Sequence, residues 1–280
     1  MSILNAVTNV KPKAGIRMVV SGVEKMGKTT FLASAPRPVL VPLEQGYQGV
    51  NMHMTPLLET YEQVMSFLDE VIAARGQGTF PYQTICFDSV TALERMIHQS
   101  VLETDPTFGK GNKKALTMES ALGGYGKAYT YANELFANFL TKCDVLSSWG
   151  GINIAMTCHV FSAAVEDPTV GNYSTWDLLL HSPKNQKTYG KREHLTQWAD
   201  VIGFIYEPLI ISAGSEKNAM QRGISKGVGR VLAMTRTPSY VAGNRFQVTE
   251  ELPLPIQNGW NVMANAIYQA SGFDCYNRDV

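Results

Sequence analysis

Residues 22–30 read Gly22-Val23-Glu24-Lys25-Met26-Gly27-Lys28-Thr29-Thr30, directly behind an apolar run of Ile16, Met18, Val19 and Val20. Glycine, four residues, then Gly-Lys-Thr, set between a strand and a helix, is the pattern of a phosphate-binding loop. Each residue type answers a chemical need. Gly22 and Gly27 let the backbone curl until successive N–H groups converge on phosphate oxygens. Lys28 supplies a point charge for the β- and γ-phosphates, and the Thr29 hydroxyl suits Mg2+. Glu24, Lys25, Met26 and Thr30 complete the loop. The helix opening near Lys28 offers the positive end of its dipole. Because Phe31-Leu32-Ala33 carries that helix on, the alternative of a glycine-rich turn with a surface lysine is a poor one. ATP and Mg2+ are the expected ligands.

Outward from the loop, strands and helices alternate. Pro36-Arg37-Pro38 breaks the first helix, and Val39 to Leu43 reads as a short buried strand. Thr60 and Gln63 form a capping box, with Val64, Phe67, Leu68, Val71 and Ile72 on one helical face up to Gly76. Thr84 to Phe87 is a further strand, ending at Asp88-Ser89, and a helix follows from about Val90 to Leu102. Lys127 to about Leu146 is an amphipathic helix, and Gly151 to Thr157 is a strand ending at Cys158-His159. Val201–Tyr206 and Arg230–Thr235 read as a strand pair, and a last helix lies near Gly259 to Ala270. Residues 105–126 and 162–194 show little periodicity and are expected to be long functional or mobile excursions. Near-continuous apolar strands alternating with helices predict an α/β fold. Its sheet should be mainly parallel with helices on both faces and antiparallel edge strands near the C-terminus. Residues 15–280 form one core. Residues 1–14 are either a subunit-contact segment or a flexible tail.

Composition narrows the function classes. The 280 residues are 45% hydrophobic and 17% charged, an ordinary globule with a sizeable core. No stretch approaches the ~18 apolar residues of a membrane span, and Met1 to Lys13 lacks a secretory layout, so the cytoplasm is expected. Cys86, Cys143, Cys158 and Cys275 have no Cys-x-x-Cys spacing, which points to neither zinc nor disulfides. With 24 basic and 24 acidic residues the net charge is zero, which argues against indiscriminate coating of nucleic acid. Basic residues are nevertheless clustered. Six lie between Lys217 and Arg245 with no acid among them, and Lys184, Lys187, Lys191 and Arg192 form a second acid-free group. Each cluster is either a local binding surface or a solvated face.

Ligands in open α/β sheets bind at the carboxyl ends of strands, where Glu44, Asp88 and His159 join the loop. Asp88 has the position of the carboxylate that holds the Mg2+ shell, the alternative being a strand-terminal turn aspartate. Glu44 is placed to orient and deprotonate an attacking water, unless it is a turn glutamate before Gly46. His159 either donates to the γ-phosphate and reports it to the segment that follows, or is structural.

Phe87-Asp88-Ser89-Val90-Thr91-Ala92-Leu93 resembles the Walker B segment of RecA-type recombinases. The order of loop, glutamate, Asp-Ser and polar sensor before a long loop is also similar to the RecA core. More narrowly, Gly126-Lys127-Ala128-Tyr129, Thr157-Cys158-His159 and Gly243-Asn244-Arg245 resemble the core-only RecA-like ATP-binding proteins of bacteriophages, the Sak type of single-strand annealing protein. The resemblance spans roughly residues 15–250. It implies that Glu44 is the catalytic glutamate, that His159 replaces RecA's glutamine sensor, and that 105–126 and 162–194 face DNA. It also implies that Arg245, and with it Arg236, reaches a neighbouring subunit's nucleotide. The sequence has no counterpart of RecA's N-terminal helical domain or C-terminal DNA-gating domain, and Gly243 stands where a second basic residue is usual. The missing domains count against strand exchange, and Gly243 counts against a second basic residue acting in trans, so annealing or pairing of strands is the expected activity.

The expected protein is an oligomeric, Mg2+-dependent ATPase on single-stranded DNA, in a bacterial host cell if phage-encoded, with a single-strand-binding protein as a possible partner. Lys110, Lys113 and Lys114 near Phe108, and Lys184, Lys187, Lys191 and Arg192 near Tyr189, are its candidate DNA contacts. A P-loop ATPase or kinase with another substrate, and a non-hydrolysing ATP-gated scaffold, are the alternatives.

Overall fold

The apolar run before the phosphate loop becomes β1 (Arg17–Ser21), and its surroundings explain why no polar residue interrupts Met18 to Val20. The computed structural model describes residues 14–104, 115–169, 171–183, 189–212 and 222–276. The chain forms β2 (Pro38–Pro42), β3 (His53–Met54), β4 (Thr84–Asp88) and β5 (Asn153–Cys158), then a hairpin of β6 (Val160–Asp167) and β7 (Gly171–Leu178). Next come β8 (Val201–Tyr206) and a second hairpin, β9 (Leu209–Ser212) with β10 (Arg222–Ser225). Short strands β11 (Val231–Ala233), β12 (Gly243–Asn244) and β13 (Leu252–Pro253) close the series. The helices are α1 (Lys28–Ala33), α2 (Tyr61–Gly76), α3 (Val90–Thr104), α4 (Lys127–Ser148), α5 (Lys191–Trp198) and α6 (Gly259–Ser271).

The main sheet runs β3-β2-β4-β5-β1-β8 in parallel, and β11, β12 and β13 extend it antiparallel beyond and beside β8. Side chains along each central strand alternate between two cores. Val19, Val41, Ile85, Phe87 and Ile154 pack toward α2 through α5. Met18, Val20, Leu40, Cys86 and Ala155 pack toward α1 and α6. Burial on both faces is the physical reason the strands read as unbroken apolar runs. Among the described residues, no helix is long and apolar enough to cross a membrane.

Helix α2 begins at the expected capping box: Thr60 Oγ1 accepts from the Gln63 N–H, and Gln63 Oε1 accepts from the Thr60 N–H, both at 3.2 Å. The expected excursion at 162–194 differs. Most of it is the β6–β7 hairpin, paired from Val160↔Leu178 to Asp167↔Gly171, followed by α5. The Asp167 carboxylate accepts from the Thr169 N–H at 2.7 Å, and Gly171 turns the chain at φ 85°. Small residues (Ser162, Ala163, Ala164) blur the alternation that would have announced a strand. Within the other excursion, residues 115–126 cover the core with Ala115, Met118 and Ala121 buried, and residues 105–114 lie outside the described residues.

Candidate active site

Strand register brings the site together. Ser21 at the end of β1 lies level with Cys158 of β5 on one side and Phe204 of β8 on the other. The loop therefore leaves a surface already closed on both flanks. Gly22 has φ 149°, and a Cβ there would stand 2.5 Å from the Ile205 carbonyl oxygen. Gly27 has φ 84°, and its Cβ would meet Arg230 Nη1 at 1.9 Å. At Gly22 the obstacle is backbone, whereas at Gly27 the arginine tip can move and the left-handed φ is what favours glycine. Because α1 is only six residues long, its contribution is the local N–H groups of the first turn rather than a long dipole.

Lys28 is buried, and its ammonium donates to the carbonyls of Gly22 at 2.9 Å and Val23 at 3.0 Å. Burial lowers its pKa from the ordinary 10.5, opposed chiefly by the Asp88 carboxylate. Thr29 Oγ1 donates to Asp88 Oδ2 at 2.7 Å, and the Thr157 hydroxyl donates to Asp88 Oδ1. This second contact exists because β5 lies between β1 and β4. Asp88 is itself held by Phe87, which packs edge-on against Phe139 with centroids 5.2 Å apart. A carboxylate flanked by hydroxyls, beside a lysine and two glycines, fits a nucleotide phosphate with a hard divalent ion. No cluster of three or more His, Cys, Asp or Glu exists among the described residues. Mg2+ suits such a place, since one carboxylate and the phosphates themselves supply its ligands.

Glu44 lies one residue beyond Leu43, whose N–H donates to the Asp88 carbonyl at 2.7 Å, so the ends of β2 and β4 are clipped together. Its carboxylate contacts His159 Nε2 at 2.8 Å and Arg95 Nη2 at 3.0 Å. Burial alone would push the Glu44 pKa up. Hydrogen bonds from His159 and Ser89, with His159's charge and Arg95, more than offset this and hold it at about 2. Such a carboxylate is ionised but weakly basic. A cleft of 240 Å³ separates this group from the phosphate loop, lined by Gly22, Val23, Glu24, Arg95, His159 and Leu179.

The structure thus gathers Lys28, Thr29, Asp88, Glu44 and His159 at one end of the sheet, around a loop in which Glu24 and Lys25 are exposed and Met26 and Thr30 half-buried. Three participants were not among the site residues read from the sequence. Thr157 and Arg95 are reached only through β5 and α3. Arg230 donates to the Met26 carbonyl at 2.7 Å, bracing the loop from outside. A signal for Arg230 did exist: a basic residue opening a strand antiparallel to β8 must sit at the ligand end.

Arg245 lies elsewhere, at the amino end of β8, where it pairs with Asp200 at 3.0 Å, and exposed Arg236 follows β11 toward that same end. One DNA candidate, Lys191, is corrected. Lys191 is 0% exposed, with its ammonium 3.0 Å from His98 Nε2 and 3.5 Å from Glu94. Arg192 is engaged by Asp177 at 2.5 Å and Glu193 at 3.0 Å. At the start of α5, Lys191 lies on the face turned to the core and Arg192 is spent on ion pairs. Lys110, Lys113, Lys114, Lys184 and Lys187 lie outside the described residues.

No curated protein matches the chain. The sequence model of the family described as AAA domain matches residues 14–246, which takes in the whole parallel sheet and every residue gathered around the phosphate loop. The topology and the match agree on a P-loop ATPase-like domain, and the chain belongs to the AAA domain family.

Proposed function

We propose that this protein is an ATPase of the core-only RecA-like kind that binds single-stranded DNA and promotes annealing or pairing of complementary strands, as in phage recombination. The observation that carries the reading is the 2.8 Å contact between Glu44 and His159. It joins the nucleotide end of the sheet to the β6–β7 hairpin, which begins at the very next residue, Val160. Lys28 and the loop amides hold the phosphates, while Thr29 and Asp88 hold the metal. Mg2+, when bound, neutralises charge on the β- and γ-phosphates. His159 and Arg95 both line the cleft beside the loop, so negative charge there competes with Glu44 for them. Glu44, once released, orients water as a stronger base. The hairpin behind His159 then receives a signal of the nucleotide state. Arg245, or Arg236, acts on a neighbouring subunit's nucleotide in a ring or filament, and a single-strand-binding protein is a natural partner.

The Glu44–Arg95 ion pair also favours a second reading, an ATP-gated scaffold that hydrolyses slowly or not at all, because a carboxylate held at about 2 is a poor base. One pair of measurements separates the readings. Glu44→Gln should retain ATP binding while turnover falls by roughly 10²-fold or more. Wild-type protein should bind labelled single strands, by fluorescence anisotropy, more tightly with ATP than with ADP, and more weakly as salt rises. Turnover indifferent to both Glu44→Gln and DNA would discard the ATPase-on-DNA assignment.

A further inference from the structure

A groove of 620 Å³ lies away from the phosphate loop, between the start of α4 and the segment entering α5. Among the described residues its lining is rich in rings, Tyr125, Tyr129, Tyr189, His181 and His194, with Glu134 as the one acid and no Leu, Ile, Val or Met. Tyr125 is 98% exposed and stands at φ 56°, inside an unbroken run of positive φ from Leu122 to Gly126. A bulky residue held in that conformation with its ring in solvent is strained and uncovered for no gain to the core. Tyr189 is 58% exposed beside it.

The groove wall already contains a stack. Tyr129 and His181 lie face to face, with centroids 4.1 Å apart and planes 10° from parallel. Both partners are fixed. The Tyr129 hydroxyl donates to Glu119 at 2.6 Å, and the backbone N–H of His181 donates to Glu94 at 2.8 Å. Asn133 Nδ2 ties the Tyr189 carbonyl at 2.9 Å. Asn133 Oδ1 and His181 Nδ1 are both buried and have no hydrogen-bond partner among the described residues. Helix α4 begins at the groove with Gly126 as an N-cap that offers no side chain, and the Lys127 N–H of its first turn donates to the Gly124 carbonyl at 3.2 Å. A flat heteroaromatic ring entering the groove meets the exposed rings of Tyr125 and Tyr189.

We infer that this groove holds bases of a single-stranded nucleic acid, stacked on Tyr125, Tyr189 and the Tyr129–His181 pair. The inference rests on the single-strand reading proposed above and gives it a chemistry independent of surface lysines: ring stacking, which tolerates any sequence. Full-length protein is titrated with a labelled single strand and with an abasic strand of equal length and charge, at one salt concentration. Wild type should favour the base-bearing strand by roughly ten-fold or more. Tyr125→Ala with Tyr189→Ala should lose that margin, and Tyr125→Phe with Tyr189→Phe, which keeps the ring faces, should retain it. Equal binding of both strands by wild type, or a margin that survives the alanine pair, overturns the groove assignment and leaves DNA binding standing. No binding of any single strand by wild type removes the DNA reading itself, and the groove's ligand with it.

Discussion

Glu44 shows how far a single side chain's chemistry is set by its neighbours. Its pKa falls from an ordinary 4.5 to about 2, so the folded state holds the proton less tightly than the unfolded chain. The stabilisation that follows is present above about 4.5 and is lost as pH falls toward about 2. Chemical denaturation of wild type and Glu44→Gln at stepped pH should therefore show a stability gap near neutrality that closes through that acid window. A gap constant down to pH 3 would mean that Glu44 is not held by His159 and Arg95. The presence of a glutamate at the end of β2 was legible from its position after an apolar strand. Its low basicity was not, because His159 lies 115 positions away along the chain and Arg95 lies 51 away.

At the scale of elements, α3 links two regions through adjacent residues. Arg95 pairs with Glu44 at the nucleotide end, while Glu94 accepts from the backbone N–H of His181 and pairs with buried Lys191. Burial raises the Glu94 pKa and lowers that of Lys191, so each is tolerated because of the other. Beside them, burial and the charge of Lys191 push His98 down to about 3, which keeps its ring neutral. Removing one partner leaves a desolvated charge. Glu94→Ala should cost about 3–5 kcal/mol in urea unfolding, and the same change made on a Lys191→Met background should cost far less. Equal costs would show that the pair is not coupled. Helices with a clear apolar stripe, α2, α3 and α4, were readable within a few residues, since their periodicity is local. The β6–β7 hairpin was not, since half of each strand faces solvent and small residues carry little pattern.

Across the whole molecule, clustered charge is partly consumed inside the chain. From the basic stretch, Arg230 braces the phosphate loop and Arg245 holds Asp200. From the acids of α2, Glu62 accepts from Ser100 at 2.6 Å and Asp69 pairs with Lys142. Arg245 stands at the end of the sheet opposite its own loop, so any contact with nucleotide must come from another copy. Mixing tests this. On the proposal that Arg245 acts across a subunit interface, Lys28→Ala and Arg245→Ala proteins should each lose ATPase activity alone and regain it when combined, because some interfaces would then pair an intact loop with an intact arginine. Failure to regain activity at any ratio would assign Arg245 a purely structural role with Asp200.

The glycine-lysine-threonine loop, the apolar strands and the alternation of strand with helix were determined by residue order alone. Phosphate-loop geometry and burial on two faces are demands met within some twenty consecutive residues. Only the tertiary structure decided which distant groups reach that loop. Inserting β5 between β1 and β4 set Thr157 on Asp88, and the antiparallel return of β11 set Arg230 on Met26. The same packing sent Lys191 inward and left Tyr125 outside. Strand order and side-chain direction are cooperative results of closing the core, and no local stretch of sequence carries them.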